Sequence, residues 1–488
     1  MKTPRSGLDR RAALGLGVLG ATAAVATRSQ GQVAPSGAQP RAVDVVVVGA
    51  GFAGLTVARN LRKAGASVVV LEADDRVGGR TKAGRVAGQV VDLGGQWVGP
   101  KQRHLLALAA ELGVKSSPQY VDGKNILDLV GKELRYEGEI PPLEPKDLEE
   151  FARLTAEVDG LAAKLDIAAP WKLEGASALD HQTVESWLQS ATTSEPVRSF
   201  FRVFTRALFC VEPGQISMLG LLPMTAAAGG TGPMLATRGG SQDAVFAGSV
   251  WQMADRMASA LGDAVVLNAP VRSITQTERG VTVTSEAGVW TGALAVVTAP
   301  PPMAARIHYT PPMPPQRDAL TQHMAMGDVI KVHVAYATPF WRDKGLSGQI
   351  FSDHGATCLW FDMAHPGTKL GGLVGFFVGG GAQTWVERTP EERRARVLQE
   401  LAGYLGPEAR TPIDYAEQVW AAQPWQRGGY VAVPAPGALT AYGPALRGPV
   451  GRIHWAGTET ADVYIGYIDG AISSGERVAA DCVKRLRP

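Results

Sequence analysis

Residues 42–80, AVDVVVVGAGFAGLTVARNLRKAGASVVVLEADDRVGGR, restrict the fold more than any other stretch of the chain. Apart from Asp44, residues 43–48 are an apolar run of β-branched side chains, the pattern of a strand buried on both faces. Gly49, Gly51 and Gly54 follow at once as G-x-G-x-x-G. The first glycine permits a tight turn, the second lets backbone approach a pyrophosphate, and the third lets a helix sit close to the strand. Residues 52–64 have helical spacing, and the amides that open this helix favour an anion. Residues 68–71 are the next strand, and Glu72 ends it roughly 20 residues beyond the glycines, where a carboxylate accepts from a ribose hydroxyl. Strand, turn, helix, strand and acid in this order predict a dinucleotide site. A glycine turn that only packs would leave Glu72 without a purpose.

Arg76-Val77-Gly78-Gly79-Arg80-Thr81 adds a second glycine turn with two guanidinium groups, suited to further phosphate contact. A nicotinamide site does not need that turn so soon. The pair of turns resembles the FAD-binding proteins of the glutathione-reductase type and implies FAD, on an α/β Rossmann-like domain with an interleaved α+β substrate domain. The 488 residues exceed one ordinary core, so two domains are expected. A net charge of +2 and a charged fraction of 19% give no reason to expect nucleic acid or another polyanion.

Residues 1–26 read as an export signal. Lys2, Arg5, Arg10 and Arg11 make a basic start, a short apolar run follows, and Ala24-Val25-Ala26 is a cleavage site of the A-x-A kind. The Arg10-Arg11 pair resembles a twin-arginine signal, which exports proteins already folded around a cofactor, although Asp9 and Ala13 depart from the usual pattern. The apolar run is shorter than the roughly 20 residues of a spanning helix, so a periplasmic or secreted chain without a membrane span is expected. Residues 27–41 read as a linker. Cys210, Cys358 and Cys482 are far apart, without metal spacing, and are expected to be free thiols. No metal site is expected.

Further along, residues 92–97, DLGGQW, put bare backbone where it could lie against a planar ring, and residues 100–112 read as a helix. Residues 121–140, with Asp122-Gly123, read as a hairpin. Residues 146–208 are mostly helical by pattern. Residues 223–238 read either as a cavity wall or as a plain loop. Gly239-Gly240-Ser241 is expected to lead directly into a helix ending near Leu261, followed by strands at 264–267, 271–275, 280–284 and 294–298. Residues 299–302 read as a proline-rich stop. Lys331 falls inside an alternating apolar strand, an unusual place for lysine. It is either an edge lysine that snorkels or a residue with a special role. Residues 452–456 read as a strand, 457–460 as a turn and 467–486 as a helix.

Together these residues resemble the flavin-containing monoamine oxidase family. The carriers are the opening block, with R-x-G-G-R-T and D-L-G-G-x-W-V-G, the lysine strand GDVIKVHVAYATPFW, and the closing G-R-I-H-W-A-G-T-E-T-A with G-Y-I-D-G-A and S-G-E-R. The resemblance implies FAD-binding segments at 42–115, 239–320 and 423–488, and substrate-domain segments at 116–238 and 321–422. It places the adenosine half of FAD on Gly49, Gly51, Gly54 and Glu72, with Gly79 and Arg80 near the phosphates and the backbone of Val271 facing the adenine. Gly94, Gly95 and Gln96 would lie near the isoalloxazine with Trp420 beside it, and Glu459 would close the ribityl and pyrimidine end. Lys331 would hold a water at flavin N5, and Tyr467 would be one wall of an aromatic cage around the substrate amine.

Two features depart from the family. Where the mitochondrial enzymes bond flavin through the cysteine of a Gly-Gly-Cys-Tyr stretch, this chain has Gly428-Gly429-Tyr430-Val431, so FAD is expected to be non-covalent. The same register puts Val431 at the second cage position, and a one-residue shift would put Tyr430 there instead; only one can face the site. The unshifted register, with Val431, is the expectation. The implied reaction is oxidation of an amine by hydride transfer to flavin, hydrolysis of the imine, and reoxidation by O2 with release of H2O2. An L-amino-acid oxidase would need a pocket guanidinium, for which Arg202, Arg206 and Arg238 are the candidates. A polyamine oxidase would need pocket carboxylates, and a flavoprotein acting only as electron carrier or binding module would need neither Lys331 nor Tyr467. A small-molecule amine and O2 are the expected partners, with a homodimer as the expected assembly.

Overall fold

The structure, a computed structural model, describes residues 40–138, 140–363 and 368–487. The expected export signal and nearly all of the expected linker lie outside the described residues. Val45–Val48 is fully buried and runs at the centre of a five-stranded parallel sheet. The strand order is Val265–Val266, Val68–Leu71, Val45–Val48, Leu294–Val297, Ile453–Trp455. Valines suit this position because helices or further strands cover both faces and no polar side is needed. Phe52–Lys63 is the crossover helix, as the sequence predicts. It packs on the last helix, Ile468–Leu486, so closely that a Cβ on Gly475 would lie 2.6 Å from the Ala53 carbonyl oxygen. The two ends of the described chain therefore meet in one core.

A second layer is a seven-stranded mixed sheet. Its order is Asp414–Val419, Val329–Tyr336, Gly371–Val378, Leu359–Asp362, Leu346–Ser352, Lys124–Leu129, Lys132–Tyr136. The lysine strand Val329–Tyr336 is thus interior, hydrogen-bonded on both sides, and every one of its eight residues is buried. That removes the edge-lysine reading, because the strand has a hydrogen-bonded neighbour on each side. The helices Pro145–Ala162, Val184–Ala191, Glu195–Phe209 and Met218–Ala228 close the substrate side around a core rich in Phe and Leu.

Three local expectations change, and one that the sequence left open is decided. The hairpin of residues 121–140 forms, but it turns at Val130 and Gly131, both at positive φ, and Asp122-Gly123 lies before its first strand. Two successive left-handed residues match the twist of paired strands. The stretch after Gly240 does not enter a helix directly. A three-residue strand, Ala244–Phe246, comes first, and the helix is Trp251–Leu261. The strand joins Trp97–Val98 to Ser116–Pro118, partners too distant in sequence to be visible locally. The proline-rich stop contains a short helix, Pro301–Ala304, because proline fits the first helical turn. Residues 223–238 are mostly helix, with Pro223 inside Met218–Ala228 and a second helix at Thr231–Leu235, and they do line a cavity.

Candidate active site

One cavity of about 1100 Å³ runs from the glycine turns to the helical layer. At one end it is lined by Gly49, Gly51, Gly79 and Glu72. Gly49 sits at φ +102°, where a Cβ would fall 2.7 Å from Thr298 Oγ1. A Cβ on Gly54 would fall 1.9 Å from the Gly49 carbonyl oxygen. Gly54 accordingly lies behind the turn, holding helix to strand, and does not line the cavity. Gly51 and Gly79 face one another, since a Cβ on Gly79 would reach 3.4 Å from the Gly51 Cα. No side chain caps the helix that starts at Phe52, and Phe52 and Ala53 line the cavity beside Gly51. Glu72 is buried, its carboxylate accepting from the amides of Ala50 (2.5 Å) and Asp74 (2.9 Å). Burial raises its pKa against those bonds.

The two guanidinium groups of the second turn are committed to protein partners. Arg76 donates to the carbonyls of Val77, Gly79 and Thr81, bracing the turn. Arg80 donates to Glu459 (2.6 and 3.1 Å) and to the Tyr430 carbonyl (2.8 Å). Phosphate contact was the expectation for Arg80. Arg80 lines the cavity beside Gly79 and also makes an ion pair, because Glu459 is 2% exposed and needs a counter-charge. Burial pushes the Glu459 pKa up, but Arg80 and the Ala432 amide outweigh it and hold the carboxyl below its usual range. Glu459 does not line the cavity, whereas Gly457 and Thr458 do.

At the middle, Gly94, Gly95 and Gln96 form one wall with Trp420. A Cβ on Gly94 would meet the Arg80 carbonyl oxygen at 2.2 Å and the Trp420 ring at 2.9 Å, so only glycine fits. Trp420 is fixed by its Nε1–H on the Leu93 carbonyl. Lys331 reaches this wall from the sheet. Its Nζ donates to the Gly94 carbonyl (2.7 Å) and to Gln96 Oε1, and lies near the rings of Trp97 and Phe376. Lys331 is 2% exposed. Burial pulls its pKa down to about 7, opposed by the negative charge of Asp92.

Beyond the lysine stand Tyr467 and Tyr430. Tyr467 directly precedes the helix Ile468–Leu486, and its hydroxyl meets Ser241 Oγ at 3.4 Å. Burial raises the pKa of both phenols, so both stay protonated. Val431 does not line the cavity; it is buried among Met224, Leu222 and other apolar side chains of the helical core. The register expectation is corrected here. Tyr430 is the cavity residue, its ring edge-on to Phe376 at 6.3 Å. Ser241 had no signal in the sequence beyond following two glycines. Val271 lines the cavity at the glycine-turn end, near Arg272 and Met303. Arg202 is held by Glu185 and Glu195, Arg206 by Glu212, and neither lines the cavity. Arg238 does line it, exposed and paired with Asp122.

These residues fit FAD. Bare glycine backbone and uncapped helix amides suit a pyrophosphate, and Glu72 stands at the strand end. Gln426 Oε1 is buried in the same lining without a partner, an acceptor suited to a ligand hydroxyl. None of the three cysteines lines the cavity, and all three are free.

Residues 52–483 match the family model for flavin containing amine oxidoreductase. The chain is 41% identical over 447 residues to a Mycobacterium tuberculosis protein named as a flavin-containing monoamine oxidase, covering 92% of this chain and 98% of that one. It is 40% identical over 446 residues to one named as a flavin-containing monoamine oxidase A in Dictyostelium discoideum, covering 91% and 98%. Putrescine oxidase bound to putrescine superposes with a TM-score of 0.89 at 37% identity, covering 92% of this chain and all of that one. With matches of this length lying over the paired glycine turns and the buried lysine, the protein belongs to the flavin-containing amine oxidoreductase family and is an FAD-dependent amine oxidase.

Proposed function

We propose that the substrate is a monoamine with an apolar body, oxidised with O2 as acceptor and H2O2 as product. The observation that carries this is the chemistry of the chamber beyond Lys331. Phe200, Phe204, Phe351, Leu208, Met234 and Tyr430 wall it. Among the described lining residues the only carboxylates are Glu72, at the glycine turns, and Asp122 and Glu137, both exposed. A diamine would leave its second ammonium without a buried counter-charge. An amino acid would lack a buried guanidinium for its carboxylate, since Arg202 and Arg206 are spent elsewhere.

FAD held against the glycine turns supplies the two-electron acceptor. The chain supplies the rest. Apolar walls disfavour the ammonium form of the substrate, so the amine enters the reaction with its lone pair free. Tyr467 and Tyr430 restrict its approach, which lowers the entropic part of the barrier. Lys331 has three N–H bonds and two protein acceptors, leaving one for a water that serves oxygen. Anaerobic flavin bleaching separates the readings. Benzylamine and alkyl monoamines are expected to bleach the flavin fastest. Faster bleaching by putrescine, spermidine or L-amino acids overturns the proposal.

We also propose export of the folded chain, supported by the basic start, the Arg10-Arg11 pair and Ala24-Val25-Ala26. Fractionation of cells making a C-terminally tagged chain is expected to place it outside the cytoplasm, shortened at its start.

A further inference from the structure

Gln96 follows the two glycines of the wall, so a three-residue segment supplies both acceptors that Lys331 uses: the Gly94 carbonyl and Gln96 Oε1. The Gln96 side chain is 2% exposed and lines the cavity. Its other end is also engaged, Nε2 lying 3.3 Å from Met363 Sδ. That fixes the amide's sense: reversed, it would set an NH2 group against an ammonium. The lysine therefore meets a pre-oriented acceptor, and its head group cannot swing along the wall without giving that acceptor up.

We propose that Gln96 is a positioning residue, whose side-chain carbonyl holds the Lys331 head group in one orientation and favours its protonated form. The proposal rests on the reading of Lys331 given above. An acceptor bonded to the ammonium stabilises it over the neutral amine. Asp92 acts in the same direction from the strand Gln89–Asp92, with its carboxylate held by Ser249 Oγ and the Val250 amide. His333, two residues along the lysine strand, is bonded to the Asp92 carbonyl through Nε2. Opposite Lys331 on the Asp414–Val419 strand, Gln418 takes the Lys82 ammonium at 2.7 Å. Gly371–Val378, on the other side, offers the ring of Phe376 and no charge.

The test is a pH titration of the flavin's visible absorption in the holoprotein, which senses a charge beside the ring, with flavin reoxidation followed alongside. The wild-type spectrum is expected to shift near pH 7, where Lys331 loses its proton, and Lys331→Met to lose that shift. Gln96→Leu removes an acceptor and moves the transition down. Gln96→Glu adds a negative charge and moves it up, by about one unit or more. Below its transition Gln96→Glu, which keeps an acceptor for Lys331, reoxidises faster than Gln96→Leu, which slows by about tenfold. Transitions left at the wild-type pH in both Gln96 variants overturn the proposal, provided Lys331→Met has lost its own. A Lys331→Met protein that keeps the spectral shift and reoxidises normally overturns the lysine reading, and the Gln96 proposal with it.

Discussion

Tyr430 and Val431 sit on opposite sides of one backbone, and a single residue of register decides which of them meets the substrate. The tyrosine lines the cavity and the valine packs in the core. Tyr467→Ala is expected to lower amine turnover by about 10- to 100-fold while the bound FAD content stays unchanged. Tyr430→Val should act in the same sense and Val431→Ala mainly on stability. Steady-state rates and flavin-to-protein absorbance ratios check all three. Lys331 carries a pH prediction. Its folded pKa, about 7, lies below the ordinary lysine value of 10.5, so between those values the unfolded chain binds more protons and stability rises with pH. The contribution is at its most unfavourable below the folded pKa and vanishes above the unfolded one. Denaturant midpoints of wild type and Lys331→Met, compared at about pH 7 and pH 9, should show the larger rise in the wild type.

The first strand, glycine turn and helix were readable because each depends on neighbours a few residues away. So were the lysine strand and the final helix. What could not be read locally needed distant partners. Ala244–Phe246 becomes a strand only because two other segments flank it. Arg80 pairs with Glu459, a partner 379 residues away that no local pattern reveals. The glycines divide in the same way. Gly54→Ala would drive a Cβ to 1.9 Å from a carbonyl oxygen, forcing helix from strand at a cost of about 1–3 kcal/mol. FAD content should fall with it, measured by absorbance after gel filtration. Gly160, in Pro145–Ala162, has open space around its Cβ direction. Gly160→Ala should be neutral or stabilising by about 0.5–1 kcal/mol, read from the unfolding midpoint.

Across the whole molecule, the cavity whose residues fit FAD is lined by none of the three cysteines. Acid precipitation of the purified protein should therefore leave the yellow colour in the supernatant. Colour retained in the pellet would contradict non-covalent binding. Because the folded chain binds FAD and the unfolded chain does not, adding FAD at about 100 times its Kd to stripped protein should stabilise it by about 2.7 kcal/mol. A thermal melt measures this. The helices and the seven-stranded sheet were foreseen only in part, since the sheet mixes strands from residues 124 to 419.

Arg80 and Glu459 join the second glycine turn to a loop near the end of the described chain, and Ile453–Trp455 completes the parallel sheet. During translation the early segments leave the ribosome long before their partners exist. The parallel sheet and this ion pair are therefore complete only once residues beyond 450 have been made.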